Sequence, residues 1–273
     1  MIRKTLVFFF VVFLGISHND LSAQESTPEL VPNTQSNQAF GDKEWFEFRI
    51  HYGFFNASIA TLEVRKDSLN GQSVFHAKGY GRTTGLARWF FKVEDHYESY
   101  FDPVTGVPYK TIRDIYEGGY TKDLEIDFDH ETHKALVFDK KKNTKKEFTF
   151  NDKAQDFISA FYYLRNFVPA TNIQPNQSFS INMFFDNDNY VFKLKFLGKE
   201  LLETAFGTVR CIKFRPLVQA GRVFKEQESV TLWISDDRNR IPLRLQADLA
   251  VGSIKADLEK FKNLKHPFKI EIQ

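Results

Sequence analysis

From Glu44 onward the chain alternates apolar and polar side chains with a period of two, and only one stretch changes to a helical period. A period of two puts successive side chains on opposite faces of a strand, so each such run is half-buried. Trp45–Tyr52 and Ser58–Val64 show the alternation, and Asn70-Gly71 then supplies a tight hairpin turn because both residues tolerate positive φ. Further strands are expected over Ser73–Tyr80, His96–Phe101, Tyr109–Glu117, Tyr120–Phe128, Lys134–Asp139 and Lys145–Phe150. A second group follows over Phe179–Phe185, Tyr190–Leu197, Leu201–Ala205, Thr208–Phe214, Glu228–Ser235, Ile241–Ala247 and Ser253–Lys262. Short turns between regular strands predict an antiparallel meander.

The helical stretch is Asp156–Phe167. Asp152 or Gln155 is placed to cap its start, and Pro169 stops it. Phe157, Phe161 and Leu164 fall at i, i+4 and i+7 with Ile158 beside them, a stripe expected to lie against the sheet. Leu86–Phe91 reads as one helical turn or a bulged edge. The 30 Phe are an unusual number for 273 residues, and antiparallel strands this rich in Phe need two apolar layers or a strongly curled sheet. The expected fold is therefore all-β: a large curved antiparallel sheet or open half-barrel, with one helix near residues 156–167 at its mouth. No composition shift divides it, so residues 44–273 are read as a single β-rich domain, with space left among the phenylalanines for a ligand.

The N-terminus sets an expected compartment. Arg3 and Lys4 precede an apolar run over residues 5–16, and Leu21-Ser22-Ala23 offers a small residue at a cleavage position. This is the pattern of a secretory signal peptide over residues 1–23. The run is shorter than the ~20 residues that span a bilayer, and no later stretch is long and apolar enough to do so as a helix. Residues 24–43, rich in Ser, Thr, Asn, Gln and Pro in their first part, are expected to form a disordered spacer. The expected location is the periplasm of a Gram-negative cell envelope. Cys211 is the single cysteine, so no intramolecular disulfide forms. It sits in an alternating run with Val209 and Phe214 and is expected to be buried rather than reactive.

Lys plus Arg number 37 and Asp plus Glu 35, a balance of +2 that lacks the positive field needed for nucleic acid. No Gly-x-Ser-x-Gly elbow, Walker A loop, dinucleotide fingerprint or His-Glu-x-x-His pair occurs, so no catalytic residue and no cofactor are assigned. His130-Glu131-Thr132-His133 has a spacing metals sometimes use, but it falls in an expected turn without a third ligand, and no metal site is assigned. Asp186-Asn187-Asp188-Asn189 resembles the start of a calcium loop, lacks the required Gly and terminal Glu, and reads as a polar turn. Lys140–Lys146 is a basic hairpin tip, able to meet anionic lipid or polysaccharide or simply to keep an edge solvated.

The stretch Gly79–Phe91 carries the candidate ligand-binding residues. Three glycines precede an apolar cluster, Trp89, Phe90 and Phe91, flanked by Arg82 and Arg88. One reading is a flap over an apolar cavity, with arginine meeting an anionic head group. The other is a plug that fills one end of the sheet. His96, in the following strand, completes the candidate set with Glu94 and Glu98 nearby, although alternation sends Asp95 to the opposite face.

Four segments together resemble an exported bacterial family, domain of unknown function 3108. They are Phe48–Ser58, Asp95–Asp102, the helix Asp156–Arg165, and Leu232-Trp233-Ile234-Ser235-Asp236-Asp237-Arg238-Asn239-Arg240-Ile241-Pro242-Leu243. The family often carries Ala-Gly where this chain has Ala57-Ser58. The resemblance implies a periplasmic, β-rich protein of undefined activity. Trp233–Leu243 is also similar to the closing strands of periplasmic lipoprotein carriers, half-barrels that hold acyl chains. Three roles follow: a non-enzymatic envelope protein binding an amphiphile or glycan in a curved sheet, an assembly module docking another envelope protein, and a hydrolase with an unrecognised site.

Overall fold

The computed structural model describes residues 38–167, 173–217, 230–249 and 251–271. The expected signal peptide and most of the expected spacer lie outside these residues. Fourteen strands form the sheet: β1 Glu44–Tyr52, β2 Phe55–Leu69, β3 Gln72–Thr83, β4 Val93–Phe101, β5 Pro108–Glu117, β6 Tyr120–Asp129, β7 Lys134–Asp139, β8 Thr144–Thr149, β9 Ser178–Phe185, β10 Asp188–Thr204, β11 Gly207–Leu217, β12 Val230–Ser235, β13 Pro242–Asp248 and β14 Ser253–Lys262. Two helices accompany them, α1 over Gly85–Phe90 and α2 over Phe157–Phe167.

The strand order is β8-β7-β6-β5-β4-β3-β2-β1-β14-β13-β12-β11-β10-β9. Each neighbouring pair is a local antiparallel hairpin or a short connection except β1 with β14, where Phe48 lies opposite Leu258. The all-β curved sheet expected from alternation is present. The strands expected over Tyr190–Leu197 and Leu201–Ala205 are one long strand, β10. Its partner register shifts between Phe196 and Gly198, and Gly198 sits at φ 135°, so the chain bends there without breaking.

The outer edges, β8 and β9, share no ladder, so the sheet is open. They meet through side chains instead. Phe184 of β9 lies 5.9 Å from Phe128, 6.4 Å from Phe148 and 6.3 Å from Phe150, ring centre to ring centre. The free edge of β9 is further occupied by Gln155, whose amide donates to the Asn182 carbonyl and whose carbonyl accepts from the Phe184 amide, both at 2.9 Å. Covering an edge in this way removes a template for aggregation.

Residues ahead of β1 also pack. Ala39 and Phe40 are buried, and the Phe40 ring meets Phe75 at 5.2 Å and Tyr162 at 4.7 Å.

Helix α2 spans the concave face. Its N-cap is Asp156, not Asp152 or Gln155: Asp156 Oδ1 accepts from the amides of Ile158 (2.8 Å) and Ser159 (2.7 Å). The Ser159 hydroxyl oxygen accepts in return from the Asp156 amide at 2.9 Å. Asp156 Oδ2 accepts from Ser99 at 2.6 Å and also from Thr111, which ties the cap to β4 and β5. Close approach of the helix to β3 depends on Gly79, where an added Cβ would stand 3.0 Å from Ile158 Cδ1.

Candidate functional site

Ile158, Ser159, Ala160, Tyr162, Arg165 and Phe167 are the buried residues of α2. The stripe Phe157, Phe161 and Leu164 is only half-buried. It packs on the sheet at Phe157, whose ring lies 5.4 Å from that of Tyr97, and at Phe161, 6.4 Å from Phe46, and all three residues also border a cavity of about 230 Å³ on the concave face. Period alone finds a helix's apolar side and cannot distinguish a side chain that touches the sheet from one that lines a void.

The opposite wall is built by inward-pointing positions of successive strands. Phe48 and Ile50 come from β1, Ala60 and Leu62 from β2, and Leu245 and Ala256 from β13 and β14. Leu232 and Ile234 of β12, Phe214 and Pro216 of β11, and Phe192 and Leu194 of β10 complete it. The walls are almost wholly hydrocarbon or aromatic. Dispersion contacts and release of water are therefore what this space offers a ligand.

Two arginines, Arg165 and Arg240, mark one end of the cavity. Arg165 is fully engaged. Its guanidinium holds both Glu44 oxygens (2.6 and 3.0 Å) and the Asn239 carbonyl (3.1 and 2.8 Å). The rings of Phe46 and Phe161 stand 5.3 and 5.4 Å from it. Burial pushes the Glu44 carboxyl up from its ordinary value, and the Arg165 charge opposes that shift. Arg240 donates to the Arg165 carbonyl at 3.1 Å, and burial together with the neighbouring Arg165 charge lowers its pKa. Glu44 faces Arg165, and the Asp236 and Asp237 charges oppose the shift at Arg240.

The Ser235–Ile241 turn that carries Arg240 is itself a hydrogen-bonded joint. Asp237 Oδ1 accepts from the Ser235 hydroxyl (2.7 Å), the Asn239 amide (2.9 Å) and the Arg240 amide (3.1 Å). Asn239 Nδ2 donates to the His266 carbonyl at 3.0 Å. The polar run Asp236–Arg240 thus fastens α2, β12 and the C-terminal tail together.

None of the six sequence-selected residues lines the cavity. Arg88, Trp89 and Phe90 belong to α1, Arg82 is the next-to-last residue of β3, opposite Glu94, and Phe91 lies between α1 and β4. Trp89 is 89% exposed and Phe90 81%, so neither the flap over the cavity nor the plug describes them. Arg88 donates to Glu94 at 2.7 Å, and Arg82 is exposed. His96 points from the convex face, its ring 4.4 Å from Tyr80, in a depression of about 280 Å³ that includes Trp45, Glu63 and Glu98.

The concave side of β4–β6 holds polar groups. Asp95 is buried, with Oδ1 3.2 Å from the Tyr116 amide and no hydrogen-bond partner for Oδ2 among the described residues. Burial, reinforced by the Glu117 charge, pushes its carboxyl up to about 7. Arg113 donates to Asp186 at 2.6 Å and lies 3.8 Å over the Phe185 ring. Asp186 therefore closes the β9–β10 turn onto β5.

The His130 and His133 imidazoles have different partners: the Pro108 carbonyl at 2.7 Å for His130, and Asp152 at 3.7 Å for His133. Among the described residues no three His, Cys, Asp or Glu side chains are gathered where they could hold a metal. At the Lys140–Lys146 tip, Lys140 pairs with Glu125 at 3.3 Å and Lys142 with Asp139 at 3.1 Å. Cys211 is buried, its thiol donating to the Val209 carbonyl at 3.3 Å, and burial pushes it up to about 12. Val209 and Cys211 lie in the cluster around Trp233 and Leu258, whereas Phe214 faces the cavity.

Fold and cavity define an open, barrel-like all-β protein with a greasy interior. Residues 47–259 match the family described as Protein of unknown function (DUF3108), and the chain belongs to that family. It is similar to the crystal structure of the beta-barrel-like protein of domain of unknown function DUF1849 from Brucella abortus. The TM-score is 0.51 at 10% identity, over 82% of this chain and 99% of that one. A DUF1089 family protein from Pseudomonas aeruginosa aligns at TM-score 0.27 and 7% identity, over 81% of this chain and 95% of that one. No curated protein matches. Among the described residues no helix is long and apolar enough to cross a membrane.

Proposed function

We infer that this is an exported envelope protein that binds the apolar chain of an amphiphile between α2 and the concave face of its sheet. The observation that carries the reading is the cavity of about 230 Å³ with its hydrocarbon and aromatic walls. An apolar cavity of about 150 Å³ already holds benzene, so this one suits a slim alkyl chain or a single ring system. Arg240 at one end supplies a positive charge for a carboxylate or phosphate head group. Export rests on the signal-like pattern of residues 1–23.

The test is a titration of delipidated protein with a fluorescent fatty acid. Saturable binding is expected, together with its loss in Ala60→Phe, which places a ring in the cavity. Absence of saturable binding, or unaltered binding in Ala60→Phe, would sink the reading.

A further inference from the structure

We propose that the depression on the convex face of β1–β4 is a binding site for a neutral saccharide. The ladder assembles it from two cross-strand rows. In the first, Trp45 of β1, Glu63 of β2, Lys78 of β3 and Glu98 of β4 stand opposite one another in turn. In the second, two residues away on each strand, Thr61, Tyr80 and His96 do the same. All seven border a space of about 280 Å³. Thr61 has the shortest side chain of the seven, and Gly79, between Lys78 and Tyr80, adds none, so long side chains ring a hollow.

The walls are positioned without a ligand. Glu98 meets His76 at 2.7 Å and Lys78 at 3.8 Å, and Glu63 accepts from Arg65 at 3.3 Å. Lys262 stands 4.9 Å over the Trp45 ring, and the Tyr80 and His96 rings lie 4.4 Å apart. Among the described residues neither the Tyr80 hydroxyl nor the His96 ring makes a hydrogen bond, which leaves both groups for a ligand. The sheet separates this site from the apolar cavity, since Ala60 and Leu62 point into the cavity while Thr61 and Glu63 point away from it.

The lining selects the class of ligand. Glu63 and Glu98 repel an anion, and Lys78 repels a cation. An apolar ligand would strip water from all three charges and return no hydrogen bonds. A neutral ligand rich in hydroxyls meets acceptors at the two carboxylates and donors at Lys78 and the Tyr80 hydroxyl. The electron-rich faces of Trp45 and Tyr80 suit a row of C–H groups. A pyranose joins both properties in one ring, with an apolar C–H face and a rim of hydroxyls that each donate and accept. A space of about 280 Å³ exceeds the ~150 Å³ that holds a bare six-membered ring, which leaves room for those hydroxyls.

The experiment uses the chain lacking residues 1–23, whose removal leaves every described contact in place. It is titrated with chitotriose and with maltotriose while backbone amide resonances are followed by NMR. Saturable shifts at Thr61, Lys78, Tyr80 and Glu98 are expected with at least one of the two. Glucosamine and gluconate, the cationic and anionic counterparts of glucose, should bind about fivefold more weakly than glucose. Thr61→Phe, which fills the hollow, and Tyr80→Ser, which removes a ring, should each weaken trisaccharide binding about tenfold while keeping the wild-type melting temperature. No saturable shift with either trisaccharide, or wild-type binding by both variants, would overturn the proposal. So would glucosamine or gluconate binding more tightly than glucose, since the depression would then be an ion site. Fatty-acid titration reports the cavity on the other face, so the two readings fail separately.

Discussion

Arg165 on helix α2 and Glu44 on the first residue of β1, 121 residues apart, form a two-bond ion pair at 2.6 and 3.0 Å with both side chains almost fully buried. Four aromatic rings surround the guanidinium, and the Asn239 carbonyl completes its donors. The pair fixes the helix at the height where Phe161 and Leu164 face the cavity. Removing one partner of such a pair leaves an uncompensated buried charge, at a cost of about 3–5 kcal/mol. Glu44→Ala should lower stability by that order in urea unfolding. Replacing both residues together, Glu44→Leu with Arg165→Met, should recover much of the loss.

Asp156 caps α2 with four accepted hydrogen bonds, from two backbone amides and two hydroxyls. Asp156→Ala removes the cap and leaves Ser99 and Thr111 buried beside the gap. A loss of about 2–4 kcal/mol is expected, more than an exposed cap would give. Chemical denaturation of Asp156→Ala beside Asp152→Ala checks it. Asp152, exposed and outside the cap, should change stability by only a few tenths of a kcal/mol.

Asp95 makes stability depend on pH. Its folded carboxyl is pushed up to about 7, above the unfolded value near 3.8, first by burial and then by the Glu117 charge. The folded state thus holds the proton more tightly than the unfolded state. The stability linked to this group is fully present below about pH 4 and is lost as pH rises toward 7. Asp95→Asn should be more stable than the parent at pH 8 by roughly 2–4 kcal/mol, with the advantage closing toward pH 4. Equal stabilities across that range would refute the assignment.

Cys211 should resist iodoacetamide at pH 8 in the folded protein and react readily in 6 M guanidinium. Its thiol is buried, donates to the Val209 carbonyl and is pushed up to about 12. Only the thiolate attacks. Mass spectrometry of the two samples distinguishes the cases.

Strand positions were legible because a period of two survives any tertiary arrangement. The helix was legible because its period differs from everything around it. The cap was misplaced by a few residues, since Asp152, Gln155 and Asp156 all carry suitable side chains and only the hydroxyls of Ser99 and Thr111, on other strands, decide among them. The cavity was legible only as an excess of phenylalanine. Which Phe line it depended on partners distant in sequence: Phe214 does, whereas Phe184 joins Phe128 and Phe150 at the open edges. The outward face of α1 left no trace in the local pattern, because Leu-Ala-Arg-Trp-Phe reads the same whether it covers a core or stands clear of one. Arg165 and Glu44 gave no signal either, as neither spacing nor neighbours connect them.

Along the sheet every strand but one finds its neighbour within a local connection, and the exception joins β1 to β14 at the centre. Each half is a run of short-range pairings and can assemble early and quickly. The two halves join in one ladder only when the final strand arrives, and until then β1 offers bare backbone on its outer side. The slowest step of folding and the moment of greatest vulnerability to mispairing therefore coincide at one seam, through the middle of the molecule, whose two sides are about 200 residues apart in the chain.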